Sequence, residues 1–500
     1  MKSEYIPVII GVGEITDRTK DPAQSLEPIA LMERALRAAE DDAGAALLAS
    51  IDSLDIVCEV SWPYENAPAL LSARLGIEPV RAVYGEIGGE SPVRFIHEAA
   101  LRIARGESQV AAVVGAESNY TAVAAEKSGA TLLWSPKAPH PQIERARAWS
   151  LPLAVQHGIV MPTTVYPLYE NATQAAWGQT PREALAESAQ IWARFSEVAA
   201  TNPYGWSRQA FTAEEIATPS PGNRLIAWPY TLRMVANPQV NQGAGVLITS
   251  LARALELGVP RERLAYVWGG AAAQEPRQYL ERDQYVRSHA QDAVFESVLA
   301  QVGGIESIGL IELYSCFPVV PKLARRTLGL PATAPLSCTG GLSFFGAPLN
   351  NYMTHAAASL VRGLRNRPST LALLYGQGEF VTKHHAIVLA SQPPERNLLT
   401  TDYSVQAIAD SRHGTVPELV LDYVGPASME TFTIVYQRDG TPDFGAVIAR
   451  TPQCQRLMAR VESKDTATLA TLTDLDRSPI GSTGHVGIGS EGRLHWTATA

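Results

Sequence analysis

Short apolar runs alternate with stretches of helical periodicity in the first quarter of the chain. Within residues 27–43, apolar side chains recur at helical spacing, at Ile29, Leu31, Met32, Ala35 and Leu36. The strand candidates are residues 7–12, 53–60 and 110–115, and the helix candidates are residues 27–43 and 65–75. Alternation of this kind predicts an α/β fold with a largely parallel sheet.

The pattern changes between about residues 118 and 238. This region contains several tryptophans and prolines and helical pieces such as residues 182–199, but few strand signals. We interpret it as an inserted loop domain. Strand–helix alternation then returns at residues 244–258 and continues to about residue 375.

A second change follows residue 394, where helical periodicity becomes rare. Short strand candidates at residues 419–423, 430–436 and 444–449 are separated by turns. We expect a small β-rich domain over residues 395–500, for which a barrel is one arrangement.

Composition narrows the classes of function. The net charge is −9 at pH 7, which argues against a nucleic-acid protein, because contacts with phosphates need a basic surface. No segment approaches the roughly 20 apolar residues that cross a bilayer, and no signal-peptide pattern opens the chain, so we expect a cytoplasmic protein without a membrane partner. The four cysteines are widely spaced and give no disulfide framework, and no ligand spacing predicts a metal site.

A glycine pair precedes the helical stretch that ends near residue 104. In Gly88-Gly89-Glu90-Ser91-Pro92, Ser91 suits the N-cap and Pro92 the first helical position. Glycines let a ligand approach the backbone, and a helix N-terminus stabilises an oxyanion. The segment therefore predicts an oxyanion site, although a capped helix without a ligand has the same pattern.

Several segments, taken in order, resemble the thiolase superfamily. The helix after Gly89 ends at Gly106, the strand at 110–115 leads into a turn containing Glu117, and residues 241–247 are similar to the family's Asp-Gly-Ala strand. The resemblance covers about residues 5–392. It implies a thiolase fold of two related βαβαβαββ halves, layered α-β-α-β-α.

The residues that thiolases use for catalysis are absent. The resemblance places the nucleophilic cysteine at Gly89 and the histidine of the Gly-His-Pro loop at Ala347. No cysteine lies between residues 339 and 453, where the family has its second one. Thiolase chemistry needs a thiolate and a second acid/base, so we do not expect it here.

The combined motifs are similar to the thiolase-like protein type 1 group, which is often labelled acetyl-CoA acetyltransferase-like and carries an additional C-terminal domain. Residues 382–384 (Thr382-Lys383-His384) and 314–317 (Tyr314-Ser315-Cys316-Phe317) contribute to this resemblance. We expect residues 1–265 to form the first half, including the insertion at 118–238, and residues 266–394 to form the second half. Glu90 departs from the asparagine expected in the group.

The candidate site residues fall into two sets. The catalytic candidates are Cys316, Tyr314 and His384, and the candidates for binding an oxyanion or substrate are Gly88, Gly89, Glu90, Ser91 and Gly346. Cys316 also fits an inert packed thiol, and Tyr314 a space-filling side chain. His384, which we place in a loop after a strand, also fits a surface or capping role.

Two functions remain open at this point. The first is binding or processing of acyl-CoA or a β-keto thioester in lipid metabolism, with acyltransferase-like chemistry by a non-thiolase catalytic set. The alternative is a non-catalytic protein that binds CoA or a partner, or a subunit of an aldolase or acyltransferase complex. A CoA thioester is the expected substrate or ligand, with no covalent cofactor and no metal, and the chain is expected to be a monomer or homodimer.

Overall fold

Helices and strands alternate over most of the chain, and strands dominate its last hundred residues. A computed structural model describes residues 2–141, 143–489 and 492–499. The strands are β1 (Pro7–Thr16), β2 (Ser53–Ile56), β3 (Arg81–Tyr84), β4 (Val110–Ser118), β5 (Leu225–Ala227), β6 (Tyr230–Thr231), β7 (Asn241–Ser250), β8 (Ala265–Gln274), β9 (Ile308–Leu313), β10 (Leu371–Gly378), β11 (Lys383–Ala390), β12 (Gly425–Tyr436), β13 (Pro442–Arg450), β14 (Arg456–Glu462), β15 (Thr483–Ile488) and β16 (Leu494–Ala498). The α-helices are α1 (Pro28–Ala43), α2 (Ala67–Leu75), α3 (Ser91–Ala104), α4 (Asn119–Ser128), α5 (Ala146–Trp149), α6 (Pro152–His157), α7 (Pro162–Ala176), α8 (Pro181–Thr201), α9 (Ala213–Ala217), α10 (Leu251–Glu256), α11 (His289–Val302), α12 (Val319–Thr327), α13 (Tyr352–Arg365), α14 (Gln406–Asp410) and α15 (Thr466–Leu472).

The larger sheet has nine strands in the order β3-β2-β4-β7-β1-β8-β11-β10-β9. Read outward from the central pair β1–β8, the first half has the order β1-β7-β4-β2-β3 and the second half the order β8-β11-β10-β9. The strands of the two halves correspond in this order, except that the second half has no counterpart of β3. The two sets join where β1 pairs antiparallel with β8, at Val8–Tyr266 and Ile9–Ala265. The two related halves that the sequence predicts are therefore confirmed.

Two helices lie between the halves. Helix α3 contacts β4 and β7 of the first half and β10 and β11 of the second, while α13 contacts β7, β10 and α3 itself. Helix α1 packs on the outer side of the first half, and α11 on the outer side of the second. These contacts give the five layers α-β-α-β-α. Because α3 is covered by both halves, side chains around most of its circumference, such as Phe95 and Ala99, are buried.

The region between β4 and β7 is mostly helical and is tied to the second half by a buried ion pair. The ammonium group of Lys322, on α12, is fully buried against Glu170 on α7. Lys322 Nζ also donates to Ser188 Oγ at 2.9 Å, and the Tyr230 hydroxyl donates to Glu170 Oε2 at 2.8 Å. Each polar group of the cluster thus has a partner, as burial of a charge requires.

The last strands form a closed barrel in the order β12-β13-β14-β16-β15, because β12 pairs with both β13 and β15. The β5–β6 hairpin of the inserted region joins this sheet at β12. The strand predicted over residues 419–423 is wrong. Only Leu419 forms a bridge there, and Leu421 is 64% exposed, so the segment lacks the ladder of hydrogen bonds that defines a strand.

A buried arginine links the barrel to the second half. Arg456, on β14, is fully buried, and its guanidinium donates to the carboxylate of Glu430 at 2.6 and 2.9 Å. It also donates to the backbone oxygens of Leu280, at 2.7 Å, and Arg282, in the loop between β8 and α11. One side chain thereby holds strand β12 and a core loop together.

None of the helices in the described ranges combines the length and the apolar character that crossing a bilayer requires.

Replacement of Arg456 should destabilise the protein strongly. Arg456→Ala leaves two buried carbonyls without their donor and leaves the Glu430 carboxylate with Arg450 as its remaining partner, and we expect a loss of about 3 kcal/mol in the free energy of unfolding. Urea unfolding followed by circular dichroism measures it. Arg438→Ala, at an exposed arginine in the β12–β13 turn, is the matched control. Equal midpoints for the two variants would contradict the role of Arg456.

Candidate functional site

The glycine pair and the start of α3 meet residues from distant parts of the chain. The Gly88 amide donates to Asn350 Oδ1 at 3.1 Å, and Asn350 Nδ2 donates to the Cys58 carbonyl at 2.9 Å. Helix α3 begins at Ser91, preceded by Glu90 in the N-cap position. The predicted N-cap role of Ser91 is therefore wrong: its hydroxyl donates back to the Gly88 carbonyl at 2.5 Å, because the helix starts one residue earlier than expected.

No side chain fits at position 89. A Cβ on Gly89 would lie 2.5 Å from the Tyr314 hydroxyl oxygen and 2.5 Å from the Gln377 carbonyl oxygen. Both contacts are closer than carbon and oxygen atoms approach without a bond. Tyr314 therefore occupies the space that a nucleophile at position 89 would need, and burial raises the pKa of its phenol, which keeps it neutral.

Glu90 places a buried carboxyl beside the glycine pair. Its carboxyl oxygens lie where a side chain on Gly88 or Gly378 would have to go. Among the described residues, no group hydrogen-bonds to Glu90 Oε2. Burial raises the pKa of Glu90, and the nearby Lys383 ammonium offsets only part of that effect.

Cys316 is a buried thiol on the loop after β9. Burial raises its pKa to about 12, although the neighbouring Tyr166 hydroxyl acts in the opposite direction. The reactive form of a cysteine is the thiolate, which is scarce at neutral pH when the pKa is this high. The geometry therefore favours the packed, unreactive thiol, and a catalytic role for Cys316 stays a prediction.

His384 lies in strand β11, not in the loop that we expected, because the strand begins one residue earlier, at Lys383. Its Nδ1 is 2.7 Å from the Tyr375 hydroxyl, and its Nε2 is 3.1 Å from Ser288 Oγ and 3.2 Å from the Val381 carbonyl. Burial lowers the pKa of His384 to about 4. The imidazole is thus neutral at pH 7, with both nitrogens already engaged.

The backbone conformation of Gly346 and its packing against Gln242 leave no space for a side chain. Its φ is +114°, and a Cβ there would lie 2.5 Å from Gln242 Oε1. Gln242 Nε2 donates to the carbonyls of Tyr204 and Phe345, both at 3.0 Å. These contacts explain why a glycine stands at position 346, and binding of a ligand by Gly346 stays a prediction.

A cavity of about 1290 Å³ opens beside the start of α3. Glu90 and His384 line it, whereas Tyr314, Cys316 and Gly346 do not. Its walls also come from the loop around His140 and from the segment around Tyr403. These two segments have no periodicity in the sequence, so sequence reasoning missed them.

Charges of both signs line the cavity. Its cations are Arg81, Arg94, Arg277 and Lys383, and its carboxyl groups are Glu65, Glu86, Glu90, Glu98, Glu144 and Glu379. Each cation has an acidic neighbour: Arg81 Nη1, for example, lies 2.7 Å from Asp55, and Lys383 Nζ lies 3.3 Å from Glu379. A ligand inside this cavity is therefore expected to be largely uncharged.

Comparison with solved structures identifies the class of protein. The fold is shared with human mitochondrial 3-ketoacyl-CoA thiolase in complex with CoA (TM-score 0.55, 16% identity, covering 77% of this chain and 98% of that one). It is also shared with the Ltp2-ChsH2(DUF35) aldolase (TM-score 0.59, 19% identity, covering 78% of this chain and 99% of that one). The protein thus has a thiolase fold.

The particular family follows from two further findings. The model of the thiolase-like protein type 1 additional C-terminal domain matches residues 406–490. The crystal structure of a monomeric SCP2-thiolase-like protein type 1 from Mycobacterium smegmatis matches with a TM-score of 0.83 at 30% identity, covering 100% of both chains. The chain belongs to the thiolase-like protein type 1 family. Among curated proteins, none matches this chain.

A side chain at position 89 should be costly and should not restore thiolase activity. Gly89→Cys forces Tyr314 or the Gln377 backbone to move, and we expect a loss of about 1–3 kcal/mol in unfolding free energy. Thiolysis of acetoacetyl-CoA should stay undetectable, since Ala347 supplies no base. Gly222→Ala is the control, because nothing lies within 4 Å of a Cβ there. A Gly89→Cys variant that is stable and active would refute this explanation.

The neutral His384 predicts a pH dependence of stability. Its folded pKa of about 4 lies below the usual value of 6.5, so the unfolded chain takes up the proton first. Stability should be fully present above pH 6.5 and fall as the pH drops towards 4, with a slope of up to about 1.4 kcal/mol per pH unit from this group. Urea unfolding of His384→Gln should show a shallower slope than wild type. His485→Gln, at an exposed histidine, should not.

Proposed function

We propose that the protein binds a CoA thioester in the cavity beside α3 and does not carry out thiolase chemistry. The observation that carries the proposal is the contact of Tyr314 with Gly89, next to an open cavity. The position of the thiolase nucleophile is closed, while the same helix start still borders a space large enough for a ligand. The closed position argues against acyl transfer to residue 89, and the cavity argues for binding.

The charges of the cavity limit how such a ligand lies. Carboxyl groups outnumber cations among the lining residues, so the phosphates of CoA are expected outside the cavity, in water. The pantetheine arm is uncharged and narrow, and it suits the interior. In support of this ligand, a structure with the same fold is described in complex with CoA.

The thioester carbonyl is proposed to face Glu90. A protonated carboxyl donates a hydrogen bond, and Glu90 Oε2 has no partner among the described residues. Burial raises the pKa of Glu90, so this carboxyl takes up a proton more readily than an exposed one. The start of α3 adds the partial positive charge of a helix N-terminus at the same place. We expect a monomer, as described for the M. smegmatis relative.

A second candidate function is carbon–carbon bond cleavage of a β-hydroxyacyl thioester. The buried Glu90 carboxyl favours it, because a perturbed acid at a cavity is typical of an acid–base catalyst. One fold relative is described as an aldolase. Such a reaction needs a base for the hydroxyl proton and a donor for the enolate oxygen, and Glu90 is proposed for one of these roles.

Binding is tested by calorimetric titration of the protein with acetyl-CoA. Val83, on β3, lines the cavity, and Val83→Trp should fill part of it and weaken binding at least tenfold. Ala82→Trp is the matched control, because Ala82 lies on the exposed face of the same strand and should bind like wild type. Absence of heat with acetyl-CoA, or equal affinities for the two variants, would overturn the proposal.

Turnover assays separate the two functions. Pure protein incubated with β-hydroxyacyl-CoA and acetoacetyl-CoA should release no product if it only binds thioesters. If a product forms, Glu90→Gln should abolish its formation while acetyl-CoA binding persists, since the substitution keeps the shape of the side chain. Product formation that survives Glu90→Gln would remove Glu90 from the mechanism, and thiolysis would contradict the first proposal.

A further inference from the structure

Three side chains with metal-ligating atoms meet where the second half contacts the segment leading to the barrel. They are Asp283 in the β8–α11 loop, His289 at the start of α11 and His413 just after α14, and one ligand atom from each lies within 4.8 Å of the others. His289 Nε2 is 3.2 Å from Asp283 Oδ2, and His413 Nδ1 is 4.0 Å from Asp283 Oδ1. The cluster is separate from the cavity beside α3.

The surroundings of the cluster also suit a cation. Among the described residues, His289 Nδ1 and His413 Nε2 are buried without a hydrogen-bond partner. His413 Nε2 faces Glu275 Oε2 at 3.6 Å. A histidine bound to a metal through one nitrogen usually presents its other N–H to a carboxylate, which is the position that Glu275 holds. The Gly414 amide donates to Asp283 Oδ2 at 2.8 Å and orients that carboxylate.

The separations match those between ligands of a small transition-metal ion. Bonds of about 2.0–2.1 Å in a tetrahedral site place neighbouring ligand atoms about 3.3 Å apart. The distance of 3.2 Å between His289 Nε2 and Asp283 Oδ2 is already close to this value. The distance of 4.0 Å between His413 Nδ1 and Asp283 Oδ1 requires a rotation of the partly exposed His413 ring. Two imidazoles and one carboxylate leave the fourth position to water.

We propose that Asp283, His289 and His413 bind a divalent transition-metal ion of the Zn²⁺ class. The ion joins the loop between β8 and α11 to the segment after α14. That loop is the one whose carbonyls at 280 and 282 receive the Arg456 guanidinium. The metal therefore fastens the connection between the second half and the barrel.

The site also communicates with the cavity through hydrogen bonds. Glu275 Oε1 accepts from Ser288 Oγ at 2.7 Å, and Ser288 Oγ lies 3.1 Å from His384 Nε2. His384 lines the cavity. Glu275, which faces His413, thus connects the proposed metal site to His384 at the cavity wall.

The test uses the full-length protein after dialysis against EDTA, with Zn²⁺ and Co²⁺ as probes. Calorimetric titration with Zn²⁺ should show one tight site per chain, and Co²⁺ should give the visible absorption bands of a tetrahedral nitrogen–oxygen site. His289→Ala and His413→Ala should weaken binding at least tenfold and remove the bands. Glu275→Gln should weaken it about tenfold through the outer hydrogen bond.

Two controls keep the test decisive. His485→Ala removes an exposed histidine of β15 and should leave affinity and bands unchanged. His413→Asn serves if His289→Ala does not fold, as judged by circular dichroism, because His413 lies in a partly exposed loop. Absence of the Co²⁺ bands in wild type, or the same affinity in wild type, His413→Asn and His485→Ala, would overturn the proposal and assign any binding to surface histidines.

Discussion

The contact between the Tyr314 hydroxyl and the Gly89 backbone is the constraint on which the site depends. Helix α3 is enclosed by both halves of the large sheet, so any group at its start must fit against residues of the second half. Tyr314 and the Gln377 carbonyl come from that half and meet position 89 directly. A side chain at position 89 and the Tyr314 phenol therefore exclude each other.

The same arrangement determines which functional groups are buried and which line the cavity. Cys316 and Tyr314 are sealed in the interior, and His384 has both nitrogens engaged in hydrogen bonds. Glu90 and charged residues such as Arg94 and Lys383 line the cavity. The residues that line this cavity therefore differ from Cys316 and Tyr314, which lie behind its wall.

Much of the fold follows from the sequence, because periodicity records which side chains are buried. Strand–helix alternation predicts an α/β fold, and the resemblance of several segments to thiolases, among them the glycine pair before α3, implies the thiolase fold. Local details are not predicted correctly: the apolar run at residues 419–423 forms no strand, and Ser91 is not the N-cap. The cavity walls and the Asp283–His289–His413 cluster could not be predicted from the sequence for another reason. They join segments far apart in the chain, and tertiary packing alone brings them together.

The barrel supplies partners that the core cannot replace. Asn171 on α7 donates to the Phe432 carbonyl at 2.9 Å, the Thr431 hydroxyl donates to the Leu168 carbonyl, and the β5–β6 hairpin continues the barrel sheet. Cutting the gene in two between core and barrel would leave each product with unpaired backbone groups and would expose the Arg456 guanidinium of the barrel to water. The two polypeptides would then survive only as a permanent heterodimer, so selection should keep these parts on a single reading frame.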